Sequence, residues 1–286
     1  QTLTATVVNP KNTNCSMTLD IEFVVDKLLT FEVDGDQIVC LNLPAIPIEV
    51  FTSGTYSYSW TRTDAASTIT SLPETTSKIF VNQGGIYTVT AITTDGTLCE
   101  RSKEILVKES NIASIDLSSI EVNDLSNNGT NTIAISTSDL GVGDYEFALD
   151  NDSGPYQDDP VFTDVPPGVH TVYIRDKNSY YTYDYGCGIA EIKVSIIGYK
   201  KYFTPNGDGI NEKWKILGID FDFNKDSKVY IFDRYGKLLK QLDPLSEGWD
   251  GNYLGKPMPA TDYWFRTYLE DGREFKGHFS LVRLNK

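Results

Sequence analysis

The sequence predicts an all-β chain of tandem sandwiches, and three observations predict it. Apolar residues alternate or run briefly: residues 87–92 (YTVTAI), 172–174 (VYI), 192–197 (IKVSII) and 229–232 (VYIF) are rich in side chains suited to a pleated surface. Gly, Asn, Asp and Pro punctuate these runs. No stretch holds four turns of an apolar stripe at helical spacing, and none approaches the roughly 18 apolar residues of a spanning helix. At 286 residues the chain is also too long for a single core.

Charge narrows the function classes. The formal net charge is −15, which argues against non-specific binding to nucleic acid or anionic membranes, since both need a basic face. The charge is unevenly placed. Residues 199–286 hold 15 Lys and Arg against 13 Asp and Glu, leaving 10 and 27 to the first 198 residues, so a net of +2 follows a net of −17. A shift that abrupt marks a boundary between units.

The cysteines mark a repeat. Cys15, Cys99 and Cys187 each precede a strand-like run, at spacings of 84 and 88 residues. That period fits immunoglobulin-like modules of roughly 100 residues. The modules are expected at residues 1–28, 29–110, 111–198 and 199–286, the first being only the closing strands of a module that begins upstream. At Gln1 the chain enters strand-like residues directly, without a basic-then-apolar leader.

Within residues 29–110, Cys40 lies in a strand-like run, Trp60 follows, and Cys99 comes 59 residues after Cys40. A Cys…Trp…Cys order suits a bridge spanning two sheets with an indole packed nearby. A redox or metal pair is the alternative, but there is no CxxC and no His close in sequence. A Cys40–Cys99 disulfide is therefore expected, which requires an oxidising compartment. Cys187 has no counterpart 59 residues earlier and is expected to be a free buried thiol. Residues 111–198 carry a Pro-Pro-Gly turn at 166–168 before a strand. A tyrosine-rich stretch at 180–185 reads as a loop, either a sugar-stacking patch or ordinary surface.

Residues 199–286 carry the sharpest signals. They read FTPNGDGIN (203–211), then Trp214, IFDRYG (231–236), GWDG (248–251) and a long hairpin ending in GHFSLVR (277–283). Asp271-Gly272 is a two-residue hairpin signal. That register pairs Tyr268 with Phe275 and Trp264 with Phe279, which puts all four on one buried face. Arg234, Tyr235, Gly236 and Lys237 read as a tight turn in which Gly236 supplies a positive φ.

Those ordered elements resemble the gliding-motility-associated C-terminal domain, the type B sorting domain of type IX secretion substrates in Bacteroidota. The upstream modules resemble the PKD or immunoglobulin-like repeats of large surface adhesins. Glu212 stands where the family usually has Asp, and residues 259–263 lack the usual Gly of its PxGxY turn. The resemblance implies a secreted cell-surface protein, an adhesin used in gliding. Its tail would be read by the translocon and shuttle components of the type IX system and by a PorP/SprF-like outer-membrane barrel. The chain would pass through the periplasm to the outer face of the outer membrane without inserting into it.

Sorting needs an exposed feature that other sandwiches lack. The candidates are the loop of Thr204, Pro205, Asn206, Gly207, Asp208, Gly209 and Asn211, the turn of Arg234, Tyr235, Gly236 and Lys237, and the last strand with Phe279, Leu281 and Arg283. A terminal strand at a sheet edge would add to a partner's sheet. Trp214, Trp249, Gly236 and Gly251 are expected mainly to fold the domain. Asn206, Asp208, Asn211 and Glu212 offer hard oxygens within seven residues, the composition of a calcium loop, although the full EF-hand pattern is absent; no cofactor is otherwise expected.

An enzyme is the competing class. The chain lacks GxSxG, HExxH, P-loop and GxGxxG patterns, and its two His, His170 and His278, fall in different modules. A non-catalytic role is expected. The runner-up is an accessory polysaccharide-binding region of a secreted type IX hydrolase.

Overall fold

The computed structural model describes residues 2–22, 29–124, 130–177 and 186–283. The structure is all-β, as the residue periodicity predicts; among the described residues the one helical segment is a single 3₁₀ turn, Leu117–Ser119. The chain divides into two compact units, residues 1–109 and 110–286.

In the first unit β1 (Thr2–Asn9) and β2 (Asn12–Glu22) form an antiparallel hairpin whose residues are exposed. Cys15 lies within β2 rather than in a turn before it. Then come β3 (Glu32–Val33), β4 (Gln37–Cys40), β5 (Ile46–Phe51), β6 (Tyr56–Thr63), β7 (Ile69–Leu72), β8 (Lys78–Val81), β9 (Gly85–Thr93) and β10 (Glu100–Ser110). They form a five-stranded sheet, β4-β10-β9-β6-β7, and a three-stranded sheet, β3-β5-β8. Inward residues alternate cleanly, as in Ile46, Ile48 and Val50 of β5 and Tyr87, Val89 and Ala91 of β9. Trp60 is buried and its indole N–H donates to the Thr76 carbonyl at 3.0 Å.

The predicted Cys40–Cys99 bridge is not formed. Cys40 is disulfide-bonded, while Cys99 and Cys15 are free thiols. Topology gives the reason. Arg101 donates to the Leu29 carbonyl, Lys103 pairs with Glu32, and the Leu106 N–H donates to Asp36. The segment entering β4 therefore advances in the same direction as β10, which carries Cys40 toward the far end of β10 from Cys99. Cys99 stands in the loop immediately before β10, whereas Cys40 is the last residue of β4. Cys187 is buried as expected but is disulfide-bonded, not free. Sequence spacing does not determine such bonds; Cα proximity does.

The second unit continues with β11 (Ile120–Asn123), β12 (Thr132–Ile135), β13 (Tyr145–Leu149), β14 (Val161–Thr163), β15 (Gly168–Asp176) and β16 (Ile189–Ile196). Two three-stranded sheets, β11-β12-β14 and β13-β15-β16, enclose a core of Ile133, Phe147, Val172, Ile174, Val194 and Ile196. His170 on β15 is enclosed by the Asp150 carboxylate and the Pro166 carbonyl, each 2.7 Å from a ring nitrogen. The tyrosine-rich stretch at 180–185 lies outside the described residues.

The chain ends in β17 (Gly198–Tyr199), β18 (Tyr202–Phe203), β19 (Ile216–Leu217), β20 (Lys228–Phe232), β21 (Leu238–Leu242), β22 (Asn252–Tyr253), β23 (Lys256–Pro257), β24 (Asp262–Tyr268) and β25 (Glu274–Leu281). The main sheet is β18-β25-β24-β20-β21, accompanied by the pairs β17-β19 and β22-β23. It has its own core of Phe203, Trp214, Val229, Ile231, Trp249, Tyr263, Phe265 and Phe279.

The final hairpin is shifted by one residue from the expected register. Tyr268 pairs with Glu274, Thr267 with Phe275 and Trp264 with His278. The turn has three residues, 270–272: the Leu269 N–H donates to Arg273 O and the Gly272 N–H to Leu269 O, with Gly272 at φ 85°. This is the three-residue loop with a left-handed final residue, not the two-residue one. A one-residue slip exchanges the faces of a strand. Tyr263, Phe265 and Phe279 are consequently buried, while Trp264 and Tyr268 face outward.

Candidate functional site: loops and faces of the terminal domain

The loop at 204–212 closes on itself. The Thr204 N–H donates to Asn211 O at 2.7 Å, and the Thr204 hydroxyl donates to Ile210 O. Asn206 Oδ1 accepts from the Asp208 N–H, Asp208 Oδ1 from the Ile210 N–H at 2.7 Å, and Glu212 Oε1 from the Gly209 N–H. The Asn206 amide also donates to the other Asp208 oxygen at 2.8 Å. These bonds, the Asn206 amide first and the Ile210 N–H next, hold the Asp208 carboxyl below its ordinary range. Asn211 Oδ1 accepts from the Lys200 ammonium at 2.5 Å. The oxygens singled out as calcium donors thus each face an N–H group, one of them cationic. Among the described residues no group of three or more His, Cys, Asp or Glu has metal-site geometry. Gly207 and Gly209 have positive φ and open space around their Cα atoms, so backbone conformation is what requires glycine there.

The turn at 234–236 joins β20 to β21 and repeats the geometry of the last hairpin. The Asp233 N–H donates to Lys237 O, and the Gly236 N–H to Asp233 O, both at 3.0 Å. Gly236 supplies the positive φ the sequence anticipates, at 79°. Asp233 Oδ1 accepts from the N–H groups of Tyr235 and Lys237. That anchoring displays Arg234 and Lys237 to solvent, along with the Tyr235 ring, which is 86% exposed.

The last strand is not a free edge where the candidate residues lie. At its end β25 is flanked by β24 and by β18, which pairs in parallel with it, Tyr202 beside Ser280 and Phe203 beside Leu281. The Ser280 and Val282 N–H groups donate to Lys201 O and Phe203 O, and the Leu281 N–H to Thr261 O. Phe279 and Leu281 are buried. Arg283 reaches inward to the carbonyls of Met258, Pro205 and Gly251. Local pattern hides this arrangement because a two-residue parallel partner nearly eighty positions earlier leaves no periodic trace.

The tryptophans and Gly251 fold the domain. Trp214 and Trp249 exchange backbone hydrogen bonds at 2.9 and 2.8 Å, and their indoles donate to Lys200 O and Asn252 O. Trp214 stacks on Phe279 at 3.9 Å between centroids and 13° between planes. A Cβ on Gly251, at φ 77°, would lie 2.7 Å from Leu281 Cδ1.

The terminal domain is also tied to the module before it. Asp124, buried after β11, accepts from Arg273 Nη1 at 2.6 Å and from the Ile197 N–H at 2.9 Å. The Ser195 hydroxyl donates to Gly218 O at 2.6 Å, and Lys193 pairs with Asp222 at 3.0 Å. Sequence reading missed this junction, since the paired residues are 149 positions apart.

Residues 197–281 match the family model of the CHU_C type IX secretion signal domain. A signal of that kind engages the type IX machinery and directs export to the cell surface or outer membrane. Comparison with curated proteins finds no match. Among solved structures, a two-domain fibronectin type III segment of chicken tenascin is 11% identical, with 58% of this chain and 97% of that chain covered at a TM-score of 0.30. Fibronectin(III)-like modules of Clostridium thermocellum CbhA are 13% identical, with 58% and 94% covered at 0.27. Dimeric latent PorU of Porphyromonas gingivalis is 12% identical, with 96% of this chain and 36% of that chain covered at 0.24.

Proposed function

We propose that this chain is the C-terminal region of a gliding-motility adhesin, in which residues 199–286 are the export address and the preceding modules, 1–28, 29–110 and 111–198, form a non-catalytic stalk. The observation that carries this reading is the match of residues 197–281 to a type IX secretion signal domain. The cores change over between Ile196 and Ile197, just before the proposed boundary, which supports a division close to it. A PorP/SprF-like barrel is the proposed outer-membrane partner, with the self-bonded 204–211 loop and the displayed 234–237 turn as the features it reads. Residues 199–286, and separately 111–286, fused to a periplasmic reporter in a type IX-competent host provide the test. Surface reporter from either fusion is the expected result, and its absence from both overturns the sorting role. Export by the longer fusion alone assigns the preceding module, held through Asp124 and Arg273, to the signal. For the adhesin role, the full protein carried on the surface of a gliding cell should be needed for movement; normal gliding after its deletion overturns that part.

A further inference from the structure

The five-stranded sheet of the terminal domain has one face in the core and one in solvent, and the solvent face is unusual. Register sets its residues in rows. Leu238, Phe232, Trp264 and His278 lie side by side across four strands. The next row is Gln241, Tyr230, Arg266 and Lys276, and the one after it Lys228, Tyr268 and Glu274. Leu238 is 47% exposed, Trp264 42% and Tyr268 37%. Tyr230 and Tyr268 meet edge to face at 6.5 Å, and the Arg266 guanidinium sits 4.9 Å from the Tyr268 ring centre.

A solvated face of an antiparallel sheet ordinarily alternates to polar residues. The other five-stranded sheet of this chain has polar outward rows, Ser59, Thr90 and Ser102, and Thr61, Thr88 and Glu104, and its one apolar outward row, with Ile69, Ile86 and Leu106, is aliphatic and holds no aromatic ring. Exposed aromatic rings across adjacent strands are what set the terminal sheet apart from it. Tryptophan, tyrosine and arginine are the residues enriched at the energetic centres of protein interfaces. Charge gives the partner's sign. Lys228, Arg266 and Lys276 project from three adjacent strands; Arg266 pairs with Glu274 at 2.8 Å and Asp262 lies at the edge beside Ser280, so Lys228 and Lys276 are the cations left without a described carboxylate partner. These three cations against two carboxylates leave the face at +1, in a chain of net charge −15.

We propose that this outer face is the docking surface for an acidic protein of the export machinery. The rings bury against apolar residues of the partner while Lys228 and Lys276 meet its carboxylates. The surface is continuous with the displayed 234–237 turn, because Leu238 directly follows that turn. This inference rests on the export reading above.

The full chain fused to a periplasmic reporter is compared as native protein, Trp264→Thr/Tyr268→Thr, Arg266→Glu/Lys276→Glu and Arg266→Lys/Lys276→Arg, with thermal melts of each purified chain. The first two variants are expected to lower surface reporter at least tenfold, with reporter accumulating in the periplasm, while the conservative pair behaves as native. Surface levels unchanged in both overturn the docking face and leave the sorting role standing. Reporter exported but released to the medium also overturns it, since the face would then hold a surface glycan rather than the export machinery. If Trp264→Thr/Tyr268→Thr melts early, the charge pair at the surface decides. Absence of native reporter from the surface overturns the sorting role, and this surface with it.

Discussion

Arg273 Nη1 donates to Asp124 Oδ1 at 2.6 Å, joining the tip of the last hairpin to the end of β11 in the preceding module. The Asp124 side chain is 1% exposed, against 46% for Arg273. Burial works against the Arg273 charge, but Asp271 and Asp124 outweigh it and raise its pKa. Removing Arg273 leaves a buried carboxylate with the Ile197 N–H as its remaining described partner, which costs about 1–3 kcal/mol. Arg273→Ala and Asp124→Ala should each lower the urea midpoint of residues 110–286, and the double variant should lose less than their sum. Additive losses would show that the two groups do not interact in solution.

Phe279 is fully buried and stacked on Trp214. Phe279→Ala should therefore cost about 3–5 kcal/mol, as for other buried aromatic truncations. Thermal denaturation provides the measurement, and an unchanged melting temperature would restore Phe279 as a surface recognition residue.

Gly236 needs its conformation, not its small size: φ is 79° and nothing lies near where a Cβ would sit. Gly236→Ala should destabilise by about 1–2 kcal/mol through left-handed strain alone. Gly251→Ala should cost more, because its Cβ also meets Leu281. Equal losses in the two chemical denaturation curves would contradict that ranking.

The Asp208 carboxyl is held below its ordinary value of 3.8 by the Asn206 amide and the Ile210 N–H. A depressed carboxyl contributes stability that is present above its unfolded pKa and lost as pH falls through the folded one. Protection of the Ile210 amide, its exchange relative to the intrinsic rate at each pH, should therefore fall below about pH 4, and Asp208→Asn should weaken that dependence. Protection unchanged by acid would remove the role of Asp208 in closing the loop. Because the same oxygens already accept N–H donors and Lys200 sits against Asn211, millimolar calcium should give no heat in titration calorimetry.

Thiol labelling separates the cysteines. Without reductant, Cys15 should react rapidly and Cys99 more slowly, while Cys40 and Cys187 should react only after reduction. Protection of Cys99 under oxidising conditions would instead favour the Cys40–Cys99 bridge.

The all-β class and the 234–236 turn were legible because each depends on neighbours along the chain: alternation makes a strand, and a glycine permits positive φ. The last hairpin shows where that legibility stops. Both faces of β24 carry aromatic rings, Tyr263 and Phe265 on one and Trp264 and Tyr268 on the other. Periodicity therefore cannot choose the buried face. The three-residue turn chooses it, and the core then admits Tyr263 and Phe265, whose burial raises the Tyr263 phenol pKa.

Residue order along the chain set the strand-forming segments, the charge step at the terminal domain and the motif set of an export signal. Tertiary structure alone decided which cysteines are oxidised, that β18 covers the end of β25, that Asp124 meets Arg273, and which aromatics face solvent. Those outcomes depend on residues brought together across tens to more than a hundred positions, and local pattern carries no information about such distances.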